Sequence, residues 1–212
     1  MPRIEINKSV FNADRRMAEA NRELIRDRGW TVLNMMGSPG SGKTTLLMAA
    51  LPRLVRASAV VAGDVEGSFD AQRLLSAGII AVQINTHGSC HLSAGQVHEV
   101  LEALALPQGA LIIIENVGNL VCPAFFDLGE NGVMAVLSAA EGHEKPYKYP
   151  AVFQRAGIVA ITKADLASAA LFDMDFATAA ALSQNPDARV LPLSAVTGEG
   201  MGLLIECLEG WS

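Results

Sequence analysis

Apolar and polar positions change their rhythm several times along the chain. Over residues 7–28, Val10, Met17 and Leu24 recur at seven-residue spacing among Arg, Glu and Asn, and Gly29 follows. That pattern predicts an amphipathic helix with a glycine stop. Beyond it, continuous apolar runs alternate with helical patterns. Strands are predicted at 31–36, 58–63, 79–84, 110–115, 132–138, 157–161 and 189–193, and helices near 43–56, 69–77, 93–105, 168–184 and 199–209. Strands that are apolar throughout suit a parallel sheet covered on both faces. The expected fold class is α/β, a mostly parallel sheet of about seven strands with helices on both faces. A helix within residues 1–30 is expected to pack on a domain spanning 31–212. The longest stretches read as irregular, 116–131 and 139–151, are long enough to suggest function.

Composition narrows the partners. Half of the 212 residues are apolar, and 16 basic against 22 acidic residues leave a net charge of −6 with no Lys/Arg cluster. Nucleic acid is therefore not an expected partner. No apolar run approaches the length of a membrane span, and the N-terminal segment has no signal-peptide core, so no membrane partner and a cytoplasmic location are expected. Cys90, Cys122 and Cys207 are too few for a disulfide framework. They are packing residues, metal ligands or reactive thiols.

The clearest chemistry is Gly37-Ser38-Pro39-Gly40-Ser41-Gly42-Lys43-Thr44, a G-x-x-x-x-G-K-[ST] loop between a strand and a helix, followed by Thr45. Its glycines let backbone N–H groups turn toward phosphate oxygens at a helix N-terminus. Lys43 is placed to reach the β/γ-phosphates and Thr44 to ligate Mg²⁺. This makes the expected architecture a P-loop NTPase fold. Glu115 ends the strand ALIIIE and is followed by Asn116-Val117-Gly118, similar to a D-x-x-G element with Glu for Asp. There the acid serves the metal ion and the glycine N–H senses the γ-phosphate. Asp64 and Glu66 also follow a strand, and at least one of them, Asp64 foremost, is expected to meet the ion or the attacking water. Thr162-Lys163-Ala164-Asp165 resembles the guanine motif N-K-x-D, and Ser194-Ala195 resembles the loop that backs the base. Asp165 would accept from the N1–H and N2–H₂ donors that adenine lacks, which points to GTP. Thr162 stands where Asn is usual.

Cys90-His91 and Cys122 fall in two loops expected to open at the C-terminal edge of the sheet, where such sheets bind ligands. Adjacent Cys-His is not a structural-zinc spacing, and an inert buried thiol is the ordinary role of a lone cysteine. Cys122, however, lies four residues beyond Gly118. Two thiols and an imidazole suit Zn²⁺ or Ni²⁺. Of the other candidates, His143 reads as a solvated loop residue, His98 as surface or packing, His87 as at most near the metal loop, and Cys207 as core.

Taken together, GSPGSGKTTLL, GDVEGSFDAQR, CHLSA, ENVGNLVCPAFFDLGE and EKPYKYP strongly resemble the HypB family of hydrogenase nickel-incorporation proteins, metal-binding GTPases. The similarity covers roughly residues 8–209. The resemblance implies a GTP-dependent homodimer and a metal site from Cys90, His91 and Cys122. It also implies work with hydrogenase maturation factors to deliver nickel to the [NiFe]-hydrogenase large subunit. The chain departs from the family in three places. It has no cysteine motif or His-rich stretch before Val10, Ser93 replaces a usual Asp beside the metal loop, and His143 stands where acids are more usual.

The mechanism these readings imply is a switch. Mg-GTP on residues 37–45, served by Thr44, Asp64 and Glu115, would order 116–122 through Gly118 and so move Cys122 relative to Cys90-His91. Asn119 rather than Gln follows Gly118, so slow intrinsic hydrolysis is expected. The rival readings are a urease-accessory type GTPase, which lacks the CHL segment, a metal-storage module with a structural nucleotide, and a small-molecule kinase.

Overall fold

The computed structural model describes residues 6–211, with side chains from Ala13 onward. Helix α1 (Ile6–Arg28) turns Ala18, Asn21 and Ile25 inward and leaves Met17 and Leu24 half-buried. The buried stripe is thus rotated slightly from the seven-residue one, and the side chain of Val10 lies outside the described residues. Seven strands follow: β1 (Thr31–Gly37), β2 (Ser58–Asp64), β3 (Ile80–Asn85), β4 (Leu111–Glu115), β5 (Gly132–Ser138), β6 (Ala156–Thr162) and β7 (Arg189–Pro192). All pair in parallel, in the order β3-β2-β4-β1-β5-β6-β7.

Residues of β1 and β4 are buried at every position, which is why these strands read as mostly apolar runs rather than as an alternation. One face of the sheet sends Leu33, Met35, Ile113 and Val136 against α2 (Lys43–Ala50), α3 (Phe69–Ser76) and α8 (Met201–Glu209). On the other face, Val32, Val61 and Ile112 pack against α1 and α4 (Ala94–Ala103). Further along that face, Met36, Leu137 and Ile161 pack with Val152 and Phe153 of α6 (Pro150–Arg155) and with Ala177 and Ala181 of α7 (Met174–Gln184). Cys207 is buried in the first of these cores, as expected.

Three departures from the sequence expectation have local causes. The helix expected at 43–56 ends at Ala50, where Pro52 turns the chain into a 3₁₀ turn over Leu51–Arg53. The helix expected at 168–184 begins only at Met174, because Leu171 takes a positive φ of 51° and Asp173 caps the Phe176 N–H. The expected loop 139–151 is largely helical. It holds a 3₁₀ turn at Ala139–Glu141, then α5 (Lys145–Lys148), and α6 starts at Pro150.

Candidate nucleotide site and an adjoining thiol pair

β1 is flanked by β4 and β5 at the centre of the sheet, so its C-terminal end opens into the middle of one edge. The phosphate loop leaves there. Gly42 takes φ 91° immediately before α2, a conformation costly to any residue with a Cβ. That turn aims the start of α2 into a cleft lined by Pro39, Gly40, Lys43, Thr44, Thr45, Asp64, Glu115, Gly118 and Lys163. Lys43 donates to the carbonyls of Gly37 and Ser38, both at 3.1 Å. Burial holds its pKa below the ordinary lysine value, opposed first by the charge of Glu115.

Glu115 is buried at the end of β4. Its Oε1 accepts from the Thr44 hydroxyl at 2.7 Å, while Oε2 is buried without a hydrogen-bond partner among the described residues. Burial raises its pKa above the usual carboxylate value, with Thr44 and Lys43 pulling the other way. Asp64 ends β2, lines the cleft and accepts from the Val65 N–H at 2.7 Å. Glu66 is exposed and does not line the cleft, so Asp64 is the one of the pair at the site.

The residues expected to recognise a base gather at the ends of β6 and β7. Lys163 takes φ 56° and sends Nζ to the Gly40 carbonyl at 2.8 Å. Asp165 is exposed just beyond it, and the Ala164 N–H donates to the Leu193 carbonyl, joining this loop to Ser194-Ala195. Ser194 accepts from the Thr197 N–H at 3.1 Å. Thr162 accounts for its own departure from Asn. Its hydroxyl donates to the Ser41 carbonyl at 2.6 Å, binding the base loop to the phosphate loop.

Sequence reasoning missed three residues here. Asp70 and Arg73 of α3 line the cleft, with Arg73 3.4 Å from both Asp70 and the Thr45 hydroxyl. Lys145 of α5 donates to the Ser38 hydroxyl at 2.8 Å and pairs with Glu141 at 3.2 Å. The i,i+3 spacing of Asp70 and Arg73 on a short helix after β2 was the only local signal.

Segment 116–122 runs from this cleft to the thiols. A Cβ on Gly118 would lie 3.1 Å from Pro39, so the segment rests on the phosphate loop, and Asn119 forms a bridge with Gly37. Three residues on, Cys122 opens a 3₁₀ turn, Cys122–Phe125. Its thiol, together with burial, holds the Cys90 thiol above the ordinary range. Cys90 Sγ also lies 3.8 Å from His91 Nδ1. One face of the His91 ring stacks on Phe126 with centroids 3.5 Å apart, and burial lowers its pKa. Among the described residues, no three or more His, Cys, Asp or Glu side chains are placed to hold a metal ion. The structure thus pairs the two thiols and keeps the edge of the imidazole near Cys90, short of a complete ligand set.

Two of the remaining histidines, His143 and His98, join packed elements. His143, expected to be solvated, instead accepts from the Asp173 N–H at 3.2 Å and packs edge-on against Phe172 and Phe176. His98 joins α4 to α1 through Asn21 at 2.8 Å. His87 is an exposed turn residue with φ 49°. Ser93 also has a job of its own: it N-caps α4 in a reciprocal box with Gln96.

The comparisons with known proteins agree with this geometry. The family model described as "CobW/HypB/UreG, nucleotide-binding domain" matches residues 31–192. The hydrogenase maturation factor HypB of Escherichia coli K12 is 42% identical over 208 residues, covering 97% of this chain and 72% of that protein. The chain belongs to the HypB family. A probable HypB of Methanocaldococcus jannaschii is 39% identical, over 97% of this chain and 94% of that one. Among solved structures, HypB from Archaeoglobus fulgidus superposes with a TM-score of 0.87 at 36% identity, over 94% of this chain and 98% of that one. HypB from Helicobacter pylori in complex with nickel gives 0.88 at 34% identity, over 92% and 93%. The HypB nucleotide-binding fold thus accounts for the sheet, the phosphate loop and the cleft. No helix among the described residues is long and apolar enough to cross a membrane.

Proposed function

We propose that this chain is a GTP-hydrolysing nickel metallochaperone whose nucleotide state sets the geometry of its metal ligands during hydrogenase maturation. The observation that carries this reading is the path of segment 116–122, which rests on Pro39 at Gly118 and ends beside Cys90 at Cys122. A γ-phosphate drawing the Gly118 N–H toward itself displaces the segment that holds one thiol. Nucleotide and metal affinities are then coupled, and the coupling acts equally in both directions.

The residues present fit a nucleotide-bound Mg²⁺. Thr44 and Glu115 meet in the cleft, and the partnerless Oε2 of Glu115 is a buried oxygen suited to a metal-bound water. When bound, the ion neutralises charge building on the transferred phosphoryl group. The chain's own contributions are Lys43 toward the β/γ-phosphates, the backbone N–H groups of residues 40–44 around them, and Asp64 as an orienting acid for water. No glutamine follows Gly118, so turnover by the chain alone is slow. Asp165 supplies guanine selectivity.

Nickel, or zinc, is the cargo rather than a resident cofactor. Cys90 and Cys122 supply two soft ligands and His91, whose Nδ1 already lies 3.8 Å from the Cys90 thiol, a third as the loops draw together. The chain works as a homodimer with other maturation factors, and the recipient is the [NiFe]-hydrogenase large subunit. The deciding experiment measures Ni²⁺ and Zn²⁺ affinity with GDP and with a non-hydrolysable GTP analogue, in the wild type and in Cys122→Ala. A nucleotide-dependent affinity that the substitution removes supports the switch. An affinity indifferent to nucleotide in the wild type refutes it.

A further inference from the structure

One polar group interrupts the apolar length of β1. Asn34 is fully buried at the centre of the sheet, where an aliphatic side chain would pack with no amide to satisfy. Its partners are equally enclosed. Asn34 Nδ2 donates to Glu130 Oε1 at 3.3 Å, and its Oδ1 accepts from Asn116 Nδ2 at 3.1 Å. Asn116 Oδ1 accepts from two backbone N–H groups, Val117 at 3.0 Å and Leu92 at 3.4 Å. Glu130 also accepts from the Leu128 N–H and from Arg155, each at 2.8 Å. Arg155 in turn donates to the carbonyls of Ala124 at 2.8 Å and Phe126 at 3.3 Å.

The two ends of this network are the two metal-bearing loops. Leu92 follows His91, and Ala124 and Phe126 belong to the turn opened by Cys122. Between them, Asn116 also holds Val117, the residue before the glycine that rests on the phosphate loop. One carboxamide oxygen thus serves the nucleotide segment and the Cys90-His91 loop together. The Leu92 contact is the long one, so it yields first when Val117 moves. Buried, fully paired networks of this kind are rigid and respond as units.

We infer that Asn116 is the positioning residue through which nucleotide state is read at both metal loops, with Asn34, Glu130 and Arg155 as the brace carrying displacement to the Cys122 turn. This rests on the metallochaperone reading and adds to it a route that bypasses the cysteines themselves. The readout is the ratio of Ni²⁺ affinities measured with a GTP analogue and with GDP, a quantity that a uniformly loosened fold leaves alone.

Two variants test it. Asn116→Ala removes the shared acceptor. Arg155→Lys keeps a cation beside Glu130 and removes the fork onto the Ala124 and Phe126 carbonyls, without touching the core. The affinity ratio is expected to fall to within about twofold of one in Asn116→Ala and to shrink partway in Arg155→Lys, with metal affinity in GDP held within about threefold of wild type. Should Asn116→Ala fail to fold, Arg155→Lys decides alone. Wild-type ratios in the folded variants overturn the relay while leaving the metallochaperone reading intact. So does a weakening of both affinities by one common factor. A wild-type ratio of one overturns that reading and the relay with it.

Discussion

Replacing Glu115 with Gln should make the stability of the ligand-free protein less dependent on pH while disabling its response to Mg²⁺. Glu115 is buried, one carboxylate oxygen has a single hydroxyl partner, and the other has none among the described residues. The Gln variant keeps an acceptor for Thr44 and removes the charge. It also sets an amide donor where Oε2 stood without a partner, and takes the leading attraction from the buried Lys43 ammonium. Those two losses set the baseline of the variant. The part that moves with pH follows from the raised carboxyl pKa. A carboxyl that protonates more readily in the folded state favours folding in acid, and that advantage is lost as pH rises through the folded value. Each unit by which folding raises the carboxyl pKa is worth about 1.4 kcal/mol, or about 3–6 °C in Tm for a chain of this length. The variant should therefore gain on wild type as pH rises from the ordinary carboxylate range toward neutral. Thermal melts in chelator from pH 4.5 upward measure it. Adding Mg²⁺ and nucleotide at about 100 times Kd should then raise wild-type stability by about 2.7 kcal/mol, with the Mg²⁺-dependent part missing in the variant. A difference between variant and wild type that does not change with pH refutes the account of Glu115.

Other expectations concern single contacts. Thr162→Ala strands the Ser41 carbonyl, a loss of about 1–2 kcal/mol. Calorimetric titration should show guanine nucleotide binding weakened about 5–30-fold with guanine-over-adenine preference intact, since Asp165 is untouched. Ser93→Ala should lower stability by about 1 kcal/mol through loss of the α4 cap, whereas Ser93→Asp should not, and neither should alter metal affinity. Arg22 meets Asp127 with both side chains about two-fifths exposed. Arg22→Ala should therefore cost no more than about 0.5 kcal/mol, a shift of about 1–2 °C in a thermal melt.

The strands were legible because a strand enclosed on both faces is apolar at most positions rather than at alternate ones, as β1 and β4 show. The phosphate loop was legible because its function needs contiguous residues. What escaped depends on contacts between distant elements. Nothing in FDAQR announces that Arg73 meets Thr45, and nothing in EKPYK places Lys145 on Ser38. Asn34 and Asn116 lie 82 positions apart and meet only across paired strands. The late start of α7 had a readable signal, Asp173 three residues before the Phe176 N–H it caps, but the alanine-rich run ahead of it reads as helix. Pro146 and Pro150 likewise marked helix starts inside a segment read as loop. The His91–Phe126 stack had no local signal, because it joins two loops far apart in the sequence.

The strand order bears on how the chain is built during synthesis. β2 pairs with β3, and β5, β6 and β7 pair in succession, so these two groups assemble from neighbouring sequence. β1 has no such neighbour. Its partners are β4, paired as Thr31 with Leu111, and β5, paired as Leu33 with Gly132. The strand that launches the phosphate loop must therefore wait for its first partner until residues near 115 have left the ribosome, and for its second until residues near 138. Closing so long a loop is the slow part of making the sheet. The nucleotide cleft, which needs β1 between both partners and Lys163 from beyond β6, is therefore completed late in synthesis, and nucleotide present during synthesis should raise the yield of native chain more than nucleotide added afterwards.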